Sequence, residues 1–272
     1  MDEIIPKLIA FAKERTDIQA CLLTGSRANP NVLSDLYQDY DVIMVTNNHE
    51  YYLHVNDWLQ VFGNVVMYQH NIIDESKHIY LILYQEMFRI DMTFIAPHRL
   101  DEILRESLLV KLLDKTGLIP ELGSPSEIDY YIKKPTEHEF QEALNEFFWC
   151  LNNVAKGIKR DELVYVKWMF DTIVRKPLLE VIGWYVGCQY DFQVNLGTYG
   201  RFMKKYLPND LYAMLRATYV GNNYEDIWEA IFTSCKLMRI TGTFVGEKLG
   251  YQYPLQDDMN MLKYLEKIKN TH

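Results

Sequence analysis

The stretch that decides the fold is Gln38-Asp39-Tyr40-Asp41-Val42-Ile43-Met44-Val45-Thr46, in which two carboxylates lead into an apolar segment. The apolar run predicts a β-strand over residues 38–46 that is buried in a sheet. Side chains alternate along a strand, so Asp39 and Asp41 point to the same face. Two like charges beside a core are unfavourable unless a cation lies between them. The stretch therefore predicts a site for a divalent cation.

A turn precedes this strand. The apolar residues 18–24 predict another strand, and Gly25-Ser26-Arg27 follows it. A glycine at that point lets the backbone approach a phosphate closely. The Ser26 hydroxyl is a hydrogen-bond donor, and the Arg27 guanidinium suits fork-like phosphate contacts. We expect Gly25, Ser26 and Arg27 to bind the phosphates of a nucleotide, although a Gly-Ser pair also occurs in ordinary turns.

A third carboxylate, Asp91, lies in a strand predicted over residues 88–95. Mg²⁺ prefers oxygen ligands and retains waters, so two or three carboxylates and a substrate phosphate suffice to hold it. We expect Asp39 and Asp41 to bind the metal, while Asp91 either completes a second metal site or takes the proton of an attacking hydroxyl. The alternative is an exposed strand face. The Gly-Ser turn upstream and the later aspartate favour metal-dependent nucleotidyl transfer.

The composition restricts the partners. The chain has 272 residues, and its 28 Lys and Arg against 37 Asp and Glu give a net charge of −9. Nucleic-acid binding draws mainly on Lys and Arg, so we expect no nucleic-acid partner. An acidic surface favours a small cationic substrate, although it serves solubility equally well.

The sequence also predicts a cytoplasmic protein. The four cysteines include no CxxC pair and lie in apolar stretches, which is typical of free buried thiols. The first residues lack a basic segment followed by a long apolar run, so no signal peptide is expected. No stretch reaches the ~18 consecutive apolar residues of a membrane helix, so no membrane partner is expected either.

Hydrophobic periodicity predicts an α+β fold with two regions of different architecture. In the first region the pattern predicts helices over 2–15, 51–62 and 98–106 and strands over 18–24, 38–46, 65–68, 78–84 and 88–95. These elements form a small mixed sheet with flanking helices. Glycine and proline cluster over 114–135, which we interpret as a linker. The predicted domains are residues 1–120 and 135–272.

The second region is predicted to be a helical bundle. Thr136 and Glu139 fit a capping box at the start of its first helix. A second helix begins near Asp161 and is expected to kink or restart at Pro177. Further helices are predicted over 208–219, 223–245 and 257–270.

Two charged side chains of the helical region are candidates for substrate contacts. Glu146 stands among bulky residues in Asn145-Glu146-Phe147-Phe148-Trp149, where it can act as a general base or bind a substrate ammonium group. Lys167 is a candidate nucleotide-binding residue. The alternatives are a solvated Glu146 and an ion pair between Lys167 and Asp171 one helical turn later.

Motifs in both regions resemble those of one enzyme family. The combination of Gly25-Ser26-Arg27 with Tyr37-Gln38-Asp39-Tyr40-Asp41 is fairly specific to one branch of the nucleotidyltransferases. Further matching stretches are Ile90-Asp91-Met92-Thr93, Asn145-Glu146-Phe147-Phe148-Trp149, Val154-Ala155-Lys156-Gly157, Tyr165-Val166-Lys167-Trp168-Met169 and Gly200-Arg201-Phe202-Met203-Lys204-Lys205-Tyr206-Leu207. Over nearly its whole length the chain resembles the aminoglycoside 6-adenylyltransferases, the streptomycin-modifying branch.

The resemblance implies an N-terminal nucleotidyltransferase domain and a helical substrate-binding domain. It implies transfer of AMP from ATP, with Mg²⁺, to a hydroxyl of an aminoglycoside such as streptomycin, with release of pyrophosphate. By the same likeness Asp39 and Asp41 bind the metal and Asp91 is the third acid. Two alternatives stay open. One is the same chemistry on another acceptor, a lincosamide or a protein hydroxyl, and the other is a non-catalytic module that binds nucleotide or a partner protein.

Overall fold

The structure, a computed structural model, describes residues 3–271. The chain forms two compact units, of which the first ends at Asp129 and the second begins at Tyr130. The first unit contains a mixed sheet, and the second is built from helices. The predicted α+β fold class, a mixed sheet followed by a helical region, is confirmed.

Within the described residues the sheet of the first unit has six strands. They are β1 (Ile18–Thr24), β2 (Tyr40–Thr46), β3 (Val65–Asp74), β4 (Lys77–Tyr84), β5 (Arg89–Ile95) and β6 (Leu109–Asp114). Their order in the sheet is β3-β4-β5-β2-β1-β6. β6 pairs with β1 and is absent from the strands that the sequence predicts, while β3 is longer than predicted.

The central pair of strands, β2 and β5, is parallel, whereas the other neighbouring pairs are antiparallel. Its register places Asp41 beside Asp91 and Tyr40 beside Ile90. β2 begins at Tyr40, so Asp39 lies just before the strand and not inside it as predicted. β4 and β5, the strands predicted over 78–84 and 88–95, are neighbours in sequence and form an antiparallel hairpin.

The two faces of the sheet are covered by different clusters. Val42 and Met44 of β2 point into a large cluster that is rich in aromatic residues. Ile43 and Val45 point to the opposite face, into a smaller aliphatic cluster. Because side chains alternate along a strand, Asp41 belongs to the face of the aliphatic cluster. Its carboxylate lies where β2 begins.

The described part of the first unit has three α-helices, namely α1 (Ile4–Glu14), α2 (His49–His54) and α3 (Leu100–Ile103). The single helix predicted over 51–62 is wrong, because α2 ends at His54 and a 3₁₀ turn, Asp57–Val61, follows it. Trp58 in that turn is buried in the aromatic-rich cluster, which ties the turn to the sheet. The helix predicted over 98–106 shortens to a 3₁₀ turn and α3.

The second unit is built from helices. They are α4 (Glu137–Lys159), α5 (Leu163–Trp168), α6 (Arg175–Gln189), α7 (Met203–Tyr206), α8 (Asn209–Ala217), α9 (Tyr224–Leu249) and α10 (Leu255–Asn270). The predicted capping box is confirmed: the Glu139 backbone N–H donates to Thr136 Oγ1 at 3.2 Å, and the Thr136 backbone N–H donates to the Glu139 carboxylate at 2.7 Å. None of the described helices in either unit has both the length and the apolar character needed to cross a membrane.

A π-helical turn, Met169–Val174, joins α5 to α6. Pro177 lies in the first turn of α6, where its missing backbone N–H breaks the regular bonding pattern. The wider π turn precedes this position directly, and regular α-helix restarts at Arg175. An interruption is therefore present as predicted, but its position differs: it spans Met169–Val174, and the helix restarts at Arg175, two residues before Pro177.

A buried carboxylate connects α9 with α10. Asp258 is completely buried and accepts hydrogen bonds from Arg239, from Nε at 2.6 Å and from Nη2 at 2.9 Å. The Tyr253 hydroxyl donates to the same carboxylate at 2.8 Å. Burial and the neighbouring carboxylate raise the pKa of Tyr253, so its hydroxyl stays a donor. A buried charge is costly without such partners, so these contacts fix α10 against α9.

Replacement of Asp258 by alanine is expected to lower the free energy of unfolding by about 3 kcal/mol, because Arg239 and Tyr253 lose their partner. Urea denaturation followed by far-UV circular dichroism measures the loss. Asp257→Ala is the matched control, because Asp257 is exposed in the same helical turn, and we expect it to cost no more than ~0.5 kcal/mol. Equal losses in the two variants would contradict the anchoring role.

Two histidines pair between β3 and β4. His70 Nε2 lies 3.1 Å from His78 Nδ1, and His78 Nε2 lies 3.2 Å from the His49 carbonyl oxygen. Because a carbonyl only accepts, His78 donates from Nε2, and its neutral Nδ1 accepts from His70. Burial, opposed by the His49 hydrogen bond and aided by the charge of His70, lowers the pKa of His78 to about 4. The side chain is therefore neutral in the folded protein at pH 7.

Stability is expected to fall as the pH decreases from 6.5, the ordinary pKa of histidine, to about 4, the pKa of His78 in the fold. In this window the unfolded chain binds a proton at residue 78 and the folded protein does not, which favours unfolding by about 2–3 kcal/mol in total. His78→Asn should remove this part of the pH dependence, whereas His98→Asn, at an exposed position, should keep it. Urea midpoints across this pH range provide the measurement, and superimposable profiles of wild type and His78→Asn would refute the assignment.

Candidate active site

Three carboxylates gather where the central strands β2 and β5 begin. Asp41 and Asp91 are register partners on these parallel strands, so their side chains project from the same face. Asp39 precedes Asp41 by two residues, and its Oδ2 lies 3.7 Å from Nη1 of Arg89, the residue two before Asp91. The structure thus brings together the three acids singled out in the sequence.

Arg89 completes this carboxylate cluster and is missing from the site residues predicted by the sequence. Its Nε donates to Asp91 Oδ1 and its Nη2 to Asp91 Oδ2, both at 2.6 Å. The hydrogen bonds to Asp91 raise the pKa of Arg89 against the effect of burial, with help from the charges of Asp91, Asp39 and Asp41. A signal for it exists in the sequence, because Arg89-Ile90-Asp91 repeats the alternation of Asp39-Tyr40-Asp41.

Gly25 packs directly against Asp41. A Cβ atom added at Gly25 would run into the Asp41 carboxylate, only 2.7 Å from its Cγ. Gly25 also has a φ of +69°, which L side chains rarely adopt. Glycine is therefore required at this position both by the backbone conformation and by the space that Asp41 occupies.

The residues after Gly25 form a short 3₁₀ turn that ends at Arg27. Arg27 Nη2 donates to the Gln38 carbonyl at 3.0 Å, and the guanidinium lies over the ring of Tyr40, 3.7 Å from its centroid. These contacts fix the turn to the start of β2. Ser26, in the middle of the turn, is half-buried. Phosphate contacts of Ser26 and Arg27 stay a prediction.

The donor chemistry of the cluster fits a magnesium ion. Asp39, Asp41 and Asp91 offer carboxylate oxygens, the ligands that Mg²⁺ prefers. Over residues 3–271, no three His, Cys, Asp or Glu side chains are assembled as a metal-binding group, and Arg89 binds both oxygens of Asp91. Two carboxylates and a substrate phosphate are enough for Mg²⁺. The residues present therefore suit a metal that binds together with its nucleotide.

Glu146 belongs to the second unit. It is exposed on α4, and its Oε1 accepts a hydrogen bond from the Cys150 thiol at 3.3 Å. Burial and this carboxylate raise the pKa of Cys150 to about 11, which keeps the thiol protonated. Glu146 lines a cavity of about 400 Å³. The other lining residues include Glu139, Glu142, Lys176, Glu180 and Trp184. The excess of carboxylates suits a cationic group.

Lys167 also lies in the second unit, on α5. Its Nζ lies 2.8 Å from the Asp171 carboxylate and donates to the Val220 carbonyl oxygen, also at 2.8 Å. The ion pair that the sequence offers as the alternative is therefore present. A contact between Lys167 and nucleotide stays a prediction.

The chain is similar to known enzymes over nearly its full length. The model of the streptomycin adenylyltransferase family matches residues 1–268. An aminoglycoside 6-adenylyltransferase of Campylobacter jejuni is 33% identical over 263 residues, which cover 94% of this chain and 91% of the relative. That of Bacillus subtilis strain 168 is 31% identical over 275 residues, covering 98% of this chain and 96% of the relative.

A solved structure extends this likeness to the fold. The crystal structure of an aminoglycoside 6-adenyltransferase from Bacillus subtilis has a TM-score of 0.51 and 28% identity, covering 99% of this chain and 98% of its own. The matches include the strands that carry Asp41 and Asp91 and the helices of the second unit, and they confirm the resemblance inferred from the motifs. The chain belongs to the streptomycin adenylyltransferase family.

Proposed function

We propose that this protein transfers AMP from Mg²⁺-bound ATP to a hydroxyl of an aminoglycoside such as streptomycin and releases pyrophosphate. Its family consists of adenylyltransferases, and its relatives are named for aminoglycosides. The observation that carries the proposal is the parallel register that sets Asp41 beside Asp91, with Gly25 packed against Asp41. Modification of an aminoglycoside in this way is a route to antibiotic resistance.

The reaction needs positioning and charge neutralisation more than covalent help from the protein. Mg²⁺, when bound, neutralises charge on the triphosphate, and we assign Asp39 and Asp41 to hold it. The acceptor oxygen forms a bond to the α-phosphorus as the bond to pyrophosphate breaks, and the hydroxyl proton leaves to a base. Asp91 is the third acid, either beside the metal or as the proton acceptor.

The remaining assignments concern the contacts with the two substrates. Gly25, Ser26 and Arg27 of the first unit are proposed to contact the triphosphate through backbone and side-chain donors. In the helical unit Lys167 is our candidate for a nucleotide contact. Glu146 is our candidate for the acceptor, because the carboxylates around it suit the cationic groups of an aminoglycoside.

Pyrophosphate release with ATP and Mg²⁺, measured with and without streptomycin, tests the proposal. Release that depends on streptomycin supports both the reaction and the acceptor. Release with a different aminoglycoside alone keeps the reaction and changes the acceptor within its class. If the protein binds ATP but releases no pyrophosphate with any aminoglycoside, the proposal is contradicted. That result would favour a lincosamide or a protein hydroxyl as the acceptor, or non-catalytic nucleotide binding.

Asp41→Asn is expected to lower acceptor-dependent pyrophosphate release at least ~10²-fold, because the amide keeps the shape of the side chain and loses its charge. Far-UV circular dichroism checks that the fold is retained. Asp101→Asn is the control, since Asp101 is an exposed aspartate on α3, and we expect it to retain wild-type turnover. Full activity in folded Asp41→Asn protein would overturn the assignment of Asp41 to the metal.

Gly25→Ala is expected to lower turnover at least ~10-fold, because the added methyl displaces the Asp41 carboxylate. Gly117→Ala separates this clash from backbone strain. Gly117 has a similar φ of +71° but open space where an added Cβ would lie, so its substitution should cost about 1 kcal/mol of stability and no activity. Turnover and urea midpoints measured on both variants separate the loss of activity from the loss of stability. Equal turnover in the two variants would contradict a specific role for the Gly25–Asp41 contact.

A further inference from the structure

The Arg89 guanidinium lies inside the carboxylate cluster. Its Nε and Nη2 each donate to one oxygen of Asp91 at 2.6 Å, and its Nη1 lies 3.7 Å from Asp39 Oδ2. The Asp91 side chain is 17% exposed and the Arg89 side chain 40%, so the carboxylate is the better shielded of the two partners. Two parallel hydrogen bonds between a guanidinium and a carboxylate form one of the stronger ion pairs in proteins.

This ion pair is built into the pairing of the strands. Arg89 and Asp91 alternate on β5 just as Asp39 and Asp41 alternate at the start of β2, and the parallel register sets the two pairs side by side. Asp41 therefore has Asp91 as its neighbour, and Asp39 has Arg89. In the protein alone, the guanidinium places a positive charge beside two of the three carboxylates, those of Asp91 and Asp39.

A divalent cation at Asp91 has to compete with this guanidinium. Each oxygen of Asp91 is bound to an Arg89 nitrogen, and a second cation at such short range is repelled. A nucleotide changes the balance for two reasons. Its triphosphate offers the guanidinium another anionic partner, and it supplies further oxygen ligands to the metal.

We propose that Arg89 is a positioning residue that keeps Asp91 away from metal ions until nucleotide binds, so that tight binding of the divalent cation requires the triphosphate. This inference rests on the proposed function, because it concerns the same carboxylates. Arg89 is then an exchangeable counter-ion, paired with Asp91 in the free protein and released when metal and nucleotide bind together. The coupling is reciprocal, so the metal raises nucleotide affinity by the same factor.

Titration of the full chain with Mn²⁺, followed by electron paramagnetic resonance, tests the proposal without turnover. In the absence of nucleotide, Arg89→Met is expected to bind Mn²⁺ roughly tenfold more tightly than wild type, because the competing charge is gone. A non-hydrolysable ATP analogue should strengthen Mn²⁺ binding in wild type, and by a smaller factor in Arg89→Met. Arg89→Lys should fall between the two, since an ammonium group cannot span both carboxylate oxygens.

Arg99→Met is the matched control. Arg99 also binds two carboxylates of the first unit, Asp74 and Glu102, and lies outside the carboxylate cluster. Its loss changes the net charge by the same amount, so it reports any general electrostatic effect on Mn²⁺ binding. We expect its Mn²⁺ affinity to equal that of wild type.

Mn²⁺ affinity that is unchanged or weaker in Arg89→Met would overturn the proposal, as would an equal gain in Arg99→Met. Were Arg89→Met unable to fold, Arg89→Lys would decide, and affinity no tighter than wild type would overturn the proposal. The proposed function fails separately, because it depends on acceptor-dependent pyrophosphate release and the titration contains no acceptor. Aminoglycoside-dependent release together with unchanged Mn²⁺ affinity in Arg89→Met would keep that function and remove this role of Arg89.

Discussion

The parallel register of β2 and β5 is the constraint on which the rest of the site depends. It sets Asp41 beside Asp91 on the two central strands of the sheet, with their side chains on one face. Carboxylates this close repel each other. The same pairing of strands also brings in a positive charge, because Arg89 lies two residues before Asp91 on β5 and contacts both Asp91 and Asp39. One pairing of strands thus brings together the carboxylates, whose negative charge suits a metal ion, and the Arg89 guanidinium, which contacts two of them.

The surroundings of this cluster follow from the two faces of the sheet. An aromatic-rich cluster buries one face, and a smaller aliphatic cluster covers the face that carries Asp41. At the end of β1 the chain turns tightly against that carboxylate, which only glycine at position 25 allows. Nucleotidyl transfer depends on placement and charge neutralisation. It therefore benefits when carboxylates such as Asp41 and Asp91 lie on strands of a packed sheet, where neighbouring residues fix their positions.

Local patterns predict those elements whose own residues specify their structure. β1 spans the predicted residues 18–24, and α4 begins at the predicted Thr136 cap, since strand alternation and capping are properties of short segments. Elements whose structure depends on residues far away in the sequence are not predicted correctly by local patterns. β6 is stabilised by pairing with β1. The helix predicted over 51–62 ends at His54, and a separate 3₁₀ turn follows whose Trp58 packs into the aromatic-rich cluster.

The sequence by itself determined the class of fold and the family, because residue type, spacing and motif are carried by short stretches of chain. It also singled out Asp39, Asp41 and Asp91 as candidate site residues. Only the tertiary structure decided that Arg89 binds Asp91, that Gly25 packs against Asp41 and that Lys167 pairs with Asp171. The first two contacts depend on which strands are neighbours and in what register they pair, and long-range packing sets these. The third contact joins residues one helical turn apart on the chain, and the Lys167 ammonium group also donates to the distant Val220 carbonyl oxygen.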